Sequence, residues 1–457
     1  MLFEQQQGSE LMRLLERGRF SCNCGHRHEP GVDRVLIGCG AVRALPELVR
    51  NYGGKRVFLL SGHDSFEAAG RQVTACLCEA GIPYSMHVFP RSPVKPTEET
   101  LGAAVMHFDY ACDLIVGIGS GVVNDTAKLL ARATDRTYLF MATAPSMDGF
   151  VSATSSMDRD GLKVSLPSRA ASAVISDLDI LRDAPLRLLQ AGIGDMLAKI
   201  VSLFEWRLAH LIVGEYWCPE VAGAVETALN SVLQSVEGLI RRETAAVRSV
   251  TEGLVMAGMA MNYVGMSRPA SGMEHYFSHI WDMRSLCFPE AGSDLHGIQT
   301  AIGTLYSLRA YEALTELQLR PDERKAARAW DSFSLAAWNR ELTEFIGPGA
   351  EAMIRLEQKE RKYSPDGWRR RFAAIQAGWD GILAEISLLP SSVEVEALMR
   401  TVGIPTDAAY LGYDRKMLQR CLKMTGDIRD KYIGSRLFRD LGVLDEVAEM
   451  TFSKNHS

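Results

Sequence analysis

Across 457 residues the chain has no uncharged apolar run of the roughly 18 that a membrane-spanning helix needs, so no spanning helix is expected. Its first residues, MLFEQQQGSELMRLLERGRF, carry acids and lack the apolar core of a secretory leader, and the chain reads as cytoplasmic. Long blocks of one charge are missing as well. The 50 basic residues stand against 56 acidic ones, a formal charge of −6, with neither sign concentrated. That balance argues against nucleic-acid and membrane-surface partners and leaves a small molecule as the expected one. There is no internal repeat and no low-complexity segment. The densest basic stretch, RKYSPDGWRRRF at 361–372, is broken by proline and glycine and reads as a solvated face. Nine cysteines, an odd number scattered through a chain without a leader, favour buried thiols over disulfides.

What is present is a change of pattern. The length exceeds what one core usually supports, so two domains are expected. From about residue 33 to 180, apolar runs such as DRVLIG, KRVFLLSG, YSMHVF, CDLIVGIGS and TYLFMAT alternate with helical segments. That alternation predicts an α/β unit with a mostly parallel sheet, and ligands in such sheets sit at the carboxyl ends of strands. After about 181, long helical periods replace it, as in PLRLLQAGIGDMLAKIVSLFEWRLAHLIV. The expected division is therefore 1–180 α/β and 181–457 all-helical.

Two segments at the predicted sheet edge suit a bound nucleotide. CDLIVGIGSGVVNDTAKLLA sets a strand, a turn with Gly117, Gly119 and Gly121, and a helix opening near Asn124 and Asp125. Glycines allow φ > 0 and close backbone approach, and a helix N-terminus presents free N–H groups to a diphosphate. The spacing is not G-x-G-x-x-G, and a turn without a ligand reads equally well. The next strand leads into MATAPSMDGFVSATSS, sixteen residues dominated by small side chains, with one acid, Asp148, and no base. Such a loop is suited to lie under a nicotinamide and ribose, its hydroxyls serving as hydrogen-bond partners.

The helical half carries acids and histidines that suit a metal. Of ten histidines, His275, His279 and His296 fall within 22 residues, and Asp195 lies in the apolar AGIGDMLAKI. His275 and His279 share a helix face, and one further imidazole with one carboxylate would complete an open, three-ligand catalytic site for zinc, nickel or iron. A second candidate is SCNCGHRHEP, with Cys22, Cys24, His26 and His28. Its spacing is tight for a structural zinc site and no second ligand pair is evident, so it stands outside the active site.

Taken in order, GIGSGVVNDTAK, ATAPSMDGFVSA, GLKVSLPSRAASAVISDLDILRDAP, AGIGDMLAKIVSLFEWRLA, SRPASGMEHYFSHIWDM and LHGIQTAIGTL resemble the iron-dependent alcohol dehydrogenase and dehydroquinate synthase-like superfamily. Within it, they resemble the bacterial-type sn-glycerol-1-phosphate dehydrogenases, over roughly residues 33–315. The resemblance implies a Rossmann-like nucleotide-binding domain at 1–180, an all-helical metal- and substrate-binding domain at 181–457, NAD or NADP, one divalent metal (zinc, nickel or iron) and a homodimer. It makes Asp195, His275 and His296 the metal ligands. Gly121, Val122, Val123, Asn124 and Asp125 would cradle the diphosphate, and Thr143, Ala144, Pro145, Ser146 and Ser152 would line the nicotinamide end. Asp148 and His279 would be catalytic and, with Asp195, would contact a small phosphorylated substrate.

The implied reaction is reversible reduction of dihydroxyacetone phosphate to sn-glycerol 1-phosphate, with His279 or a metal-bound water relaying the proton and Arg268 and Lys163 as candidates to hold the phosphate. Two departures stand out. Family members often carry an acid after the second strand to reach the adenosine ribose, whereas here Gly62 takes that place and Asp64 lies two residues on, so NAD and NADP both stay open. Many members have His-Gly-Glu at the last ligand, whereas Ile298 follows His296 and Gly297, removing a carboxylate that would support the metal. A polyol dehydrogenase, a cyclase resembling dehydroquinate synthase and a non-catalytic nucleotide-binding homologue remain as alternatives. The tryptophans beyond about 320, Trp330, Trp338, Trp368 and Trp379, read as packing.

Overall fold

The computed structural model describes residues 10–159 and 162–453, so the first nine residues of the N-terminal stretch that lacks a leader-like apolar core lie outside them. It opens with α1 (Glu10–Arg17) and a short antiparallel pair, β1 (Phe20–Ser21) and β2 (Arg27–His28). The strands that follow are β3 (Arg34–Gly38), β4 (Val57–Gly62), β5 (Tyr84–Phe89), β6 (Leu114–Gly119), β7 (Thr137–Ala142), β8 (Thr154–Arg159), β9 (Leu162–Pro167) and β10 (Ala173–Asp177). Six of them form one sheet in the order β3-β10-β7-β6-β4-β5, parallel throughout, while β8 and β9 form a separate pair.

The connecting helices are α2 (Leu45–Asn51), α3 (His63–Ser65), α4 (Arg71–Glu79), α5 (Glu98–Met106), α6 (Gly121–Thr134) and α7 (Leu178–Arg182). Parallel strands need such crossovers, and strands covered on both faces read as near-continuous apolar runs. That is why VFLLSG and LIVGIG are wholly buried as β4 and β6. One face of the sheet, with Leu59, Val116, Leu139 and Ile175, packs on Leu48, Val49, Val73 and Leu77 of α2 and α4. Burying each such side chain contributes about 1.5–3 kcal/mol.

The helical half comprises α8 (Leu186–Val213), α9 (Pro219–Ile240), α10 (Thr244–Val264), α11 (Met273–Cys287), α12 (His296–Glu316) and eight further helices, from α13 (Glu323–Ser332) to α20 (Leu444–Ser453). Two compact units share the chain. One covers the described part of Met1–Asp160 with Val164–Met196 and Pro219–Ser267, so α9 and α10 belong with the sheet. The other covers the described part of Gly161–Lys163, Leu197–Cys218 and the described part of Arg268–Ser457, and α8 contributes to both.

Beyond residue 320, Trp338, Trp368 and Trp379 are buried, and Trp330 stacks on Trp368 with ring centroids 5.4 Å apart. The basic stretch at 361–372 is not simply a solvated face. Lys362 is buried, donating to the carbonyls of Gly426, Asp427 and Arg429, and Arg371 grips both carboxylate oxygens of Asp440 at 2.7 and 2.8 Å. No described helix is long and apolar enough to cross a membrane.

Candidate active site

At the carboxyl end of β6, Ser120 is extended and α6 opens at Gly121, with no acidic side chain in the first turn to oppose an anion. Gly121 and Val122 are half-buried there, and a Cβ on Gly121 would lie 3.2 Å from the Met147 methyl. This cradle of unencumbered N–H groups fits a dinucleotide diphosphate. The glycines before it are needed for space rather than for positive φ. A Cβ on Gly119 would stand 2.6 Å from that of Val123, and one on Gly117 would stand 2.8 Å from the Tyr138 hydroxyl.

Asn124 and Asp125 turn their side chains inward. Asn124 donates to the Gly149 carbonyl at 3.1 Å and accepts from the Tyr138 hydroxyl at 2.8 Å. Asp125 pairs with buried Lys128 at 2.8 Å and accepts from Ser156 N at 3.1 Å. Lys128 donates to the carbonyls of Gly149 and Thr154 and to the Ser152 hydroxyl. These three side chains therefore tie the small-residue loop to α6.

The loop itself is buried at Thr143, Ala144, Ser146, Asp148 and Ser152. Its backbone presses on two helical glycines. A Cβ on Gly192 of α8 would stand 2.0 Å from the Pro145 carbonyl oxygen, and one on Gly258 of α10 would stand 2.5 Å from that of Asp148. At the end of β4, Asp64 is exposed, accepts a hydrogen bond from Ser92, and meets His63 at 3.2 Å.

On α8, α11 and α12, Asp195, His275 and His296 each present one ligand atom, all within 4.8 Å of one another. Asp195 is fully buried, and one of its oxygens accepts from the backbone N–H of Asp148 at 2.8 Å. His275 meets Glu274 through Nδ1 at 2.8 Å, leaving Nε2 as its ligand nitrogen. Burial, with His296 and Lys199 nearby, pushes the His275 imidazole well below its ordinary pKa and keeps it neutral, as a ligand must be. Burial and neighbouring Glu205 push the Glu274 carboxyl up to about 8. Two imidazoles and a carboxylate, each fixed by a further partner, suit a divalent transition metal.

The carboxylate missing after His296 has a substitute. His296 Nδ1 lies 3.3 Å from the Ser278 hydroxyl, which accepts from the Gln299 amide at 3.1 Å, and that amide also donates to Asp282 at 2.8 Å. Ile298 is fully buried instead. His279 is partly exposed one turn beyond His275, its ring centroid 6.3 Å from that of His296 and its Nδ1 without a hydrogen-bond partner. Burial and the cations Arg429, Lys163 and Lys431 depress its pKa.

Sequence motifs pointed to Lys163 but missed Arg429 and Lys431, which lie far along the chain. Arg268 serves elsewhere: 1% exposed, it forks onto Glu215 and donates to the Tyr432 carbonyl at 2.9 Å. A buried guanidinium so committed has no fork left for a phosphate.

The fold has clear counterparts. A probable glycerol dehydrogenase from Sinorhizobium meliloti superposes with a TM-score of 0.57 at 18% identity, covering 92% of this chain and 98% of that one. The iron-containing alcohol dehydrogenase of Corynebacterium glutamicum gives 0.58 at 14%, covering 94% and 97%. Residues 36–185 match the iron-containing alcohol dehydrogenase family. The parallel sheet followed by helices is thus that of the iron-containing alcohol dehydrogenase and dehydroquinate synthase-like class.

Within the class, a glycerol-1-phosphate dehydrogenase (NAD(P)+) of Halalkalibacterium halodurans is 30% identical over 310 residues, 66% of this chain and 77% of that protein. Its Bacillus licheniformis counterpart is 25% identical over 95% of this chain and 96% of its own length. The chain belongs to the glycerol-1-phosphate dehydrogenase family, oxidoreductases that act on a CH–OH group with NAD(P).

Proposed function

We propose that this enzyme reduces dihydroxyacetone phosphate reversibly to sn-glycerol 1-phosphate, taking hydride from NADH or NADPH. The observation that carries the reading is the Asp195, His275 and His296 group, with Lys163, Arg429 and Lys431 acting electrostatically on neighbouring His279. In this reading residues 1–180 bind the nucleotide and 181–457 bind metal and substrate. A divalent metal held by Asp195, His275 and His296 supplies Lewis acidity to the carbonyl oxygen.

The remaining work belongs to the chain's own side chains. Glu274 and Ser278 fix the two imidazoles, and the Asp148 N–H fixes the Asp195 carboxylate, so the ligand set is organised before substrate arrives. His279 relays a solvent proton to the substrate oxygen during reduction, and its neutral imidazole accepts one during alcohol oxidation. Lys163, Arg429 and Lys431 supply the positive charge that a phosphorylated ketone needs. The N–H groups of Gly121, Val122 and Val123 hold the diphosphate while Asn124 and Asp125 brace the loop beside it, Thr143, Ala144, Pro145, Ser146 and Ser152 line the nicotinamide end, and Asp148 meets the substrate. The active species is a cytoplasmic homodimer.

The test is oxidation of NADH and NADPH with dihydroxyacetone phosphate beside dihydroxyacetone and glycerol. Turnover confined to the phosphorylated ketone, and weakened in KM by Lys163→Ala, is expected. Equal turnover of dihydroxyacetone would instead assign the enzyme to unphosphorylated polyols.

A further inference from the structure

The hairpin of β1 and β2 carries chemistry that the redox site does not use. Its turn is held by Cys22 N donating to the His26 carbonyl and Gly25 N donating to the Cys22 carbonyl, both at 3.0 Å, with Gly25 at φ 85°. A left-handed glycine lets the backbone fold tightly around Cys22 and Cys24. Four residues after Cys24, His28 is fully buried between Phe20 and Tyr263. Its Nδ1 lies 2.7 Å from the Tyr263 carbonyl, which can only accept, so Nδ1 carries the proton and Nε2 carries the lone pair. Nε2 lies 3.3 Å from the Cys24 sulfur.

Cys218, also fully buried, is peptide-bonded to the first residue of α9, whose Glu220 reaches the Cys22 sulfur at 3.3 Å. One ligand atom each from Cys22, Cys24, His28 and Cys218 lies within 4.8 Å of every other. His26, which looked equally eligible in the sequence, is exposed and turns toward the Cys24 carbonyl.

We propose that Cys22, Cys24, His28 and Cys218 form a structural zinc site. Three thiolates and one imidazole are a common closed donor set for zinc, with no open position for a substrate. Soft sulfur donors exclude magnesium and calcium. Zinc–sulfur bonds of about 2.3 Å space tetrahedral donors about 3.8 Å apart, so the group closes on the ion with small side-chain shifts. None of the nine cysteines is in a disulfide.

Binding displaces three thiol protons to solvent, including the one that Cys22 shares with Glu220. Arg17, already paired with Glu220, then balances that carboxylate. The carbonyl behind His28 fixes its tautomer, the support that metal-bound imidazoles usually have. The site fastens the N-terminal hairpin to the head of α9 and, through His28, to the end of α10.

The experiment counts metal in the full-length protein and reads its ligands with cobalt(II). The purified enzyme is expected to hold a zinc ion that resists dialysis against a chelator and is released by a mercurial thiol reagent. Cobalt-loaded protein should show near-ultraviolet thiolate charge transfer that persists in His296→Ala and is lost in Cys24→Ser. Where Cys24→Ser fails to fold, the cobalt spectrum and mercurial release of the His296→Ala protein decide alone. A spectrum without thiolate charge transfer, or a disulfide between Cys22 and Cys24 in the freshly purified protein, would overturn the proposal.

Discussion

Ser278 shows how a single side chain stands in for a lost one. The sequence raised concern at Ile298, where relatives often place a carboxylate, but neither pattern nor spacing could show that a hydroxyl one helix away meets His296. Such a partner is a tertiary fact: Ser278 lies on α11, and Gln299 and Asp282 complete the chain of hydrogen bonds behind it. Ser278→Ala is expected to weaken metal binding by about 10–100-fold, the usual cost of losing such a support. Chelator competition on the purified variant measures it, and an unchanged metal affinity would show that His296 needs no help. Arg268 carries the opposite lesson, because its place in a matched motif suggested a phosphate ligand while Glu215 and the Tyr432 carbonyl occupy its guanidinium. Cys218 was invisible for a similar reason, since nothing in the sequence ties it to a hairpin near the N-terminus.

Among elements, the loop at 141–156 was the most legible and the least fully explained. Its small residues suggested close approach to a cofactor, and the structure adds that its backbone packs against Gly192 and Gly258. The five strands quoted from the pattern all appear in the parallel sheet, most plainly β4 and β6, because buried parallel strands announce themselves as short apolar runs. The inward turn of Asn124, Asp125 and Lys128 was not legible, since polar residues at a helix start read equally well as ligand contacts. Gly258→Ala places a methyl against the Asp148 carbonyl, which cannot yield as a flexible side chain would. It is expected to cost about 1–3 kcal/mol of stability and to raise KM for the nucleotide as the loop shifts. Thermal unfolding and initial-rate kinetics check both effects, and an enzyme unchanged in either would mean that the loop tolerates displacement.

For the whole molecule, the helical half binds its segments partly through buried cations. Burial pushes the Lys362 ammonium down from 10.5 to about 8, although three backbone carbonyls receive it. The folded state therefore holds fewer protons than the unfolded one between about pH 8 and 10.5, so this group's contribution rises with pH and is lost as pH falls through that window. The unfolding free energy of the wild type should gain about 3 kcal/mol on Lys362→Met across that range, read from denaturant titrations at each pH. Parallel pH curves for the two proteins would refute the assignment.

The central claim concerns the chemistry at Asp195, His275 and His296, and its most direct test is the identity of the product. Protein stripped of its catalytic metal and reloaded separately with zinc, nickel and iron would be given dihydroxyacetone phosphate and reduced nicotinamide, and the product resolved by a stereospecific assay. Metal-dependent formation of sn-glycerol 1-phosphate, abolished in His296→Ala, is the predicted result. Formation of the opposite enantiomer, or no turnover with any metal while nucleotide still binds, would contradict the account.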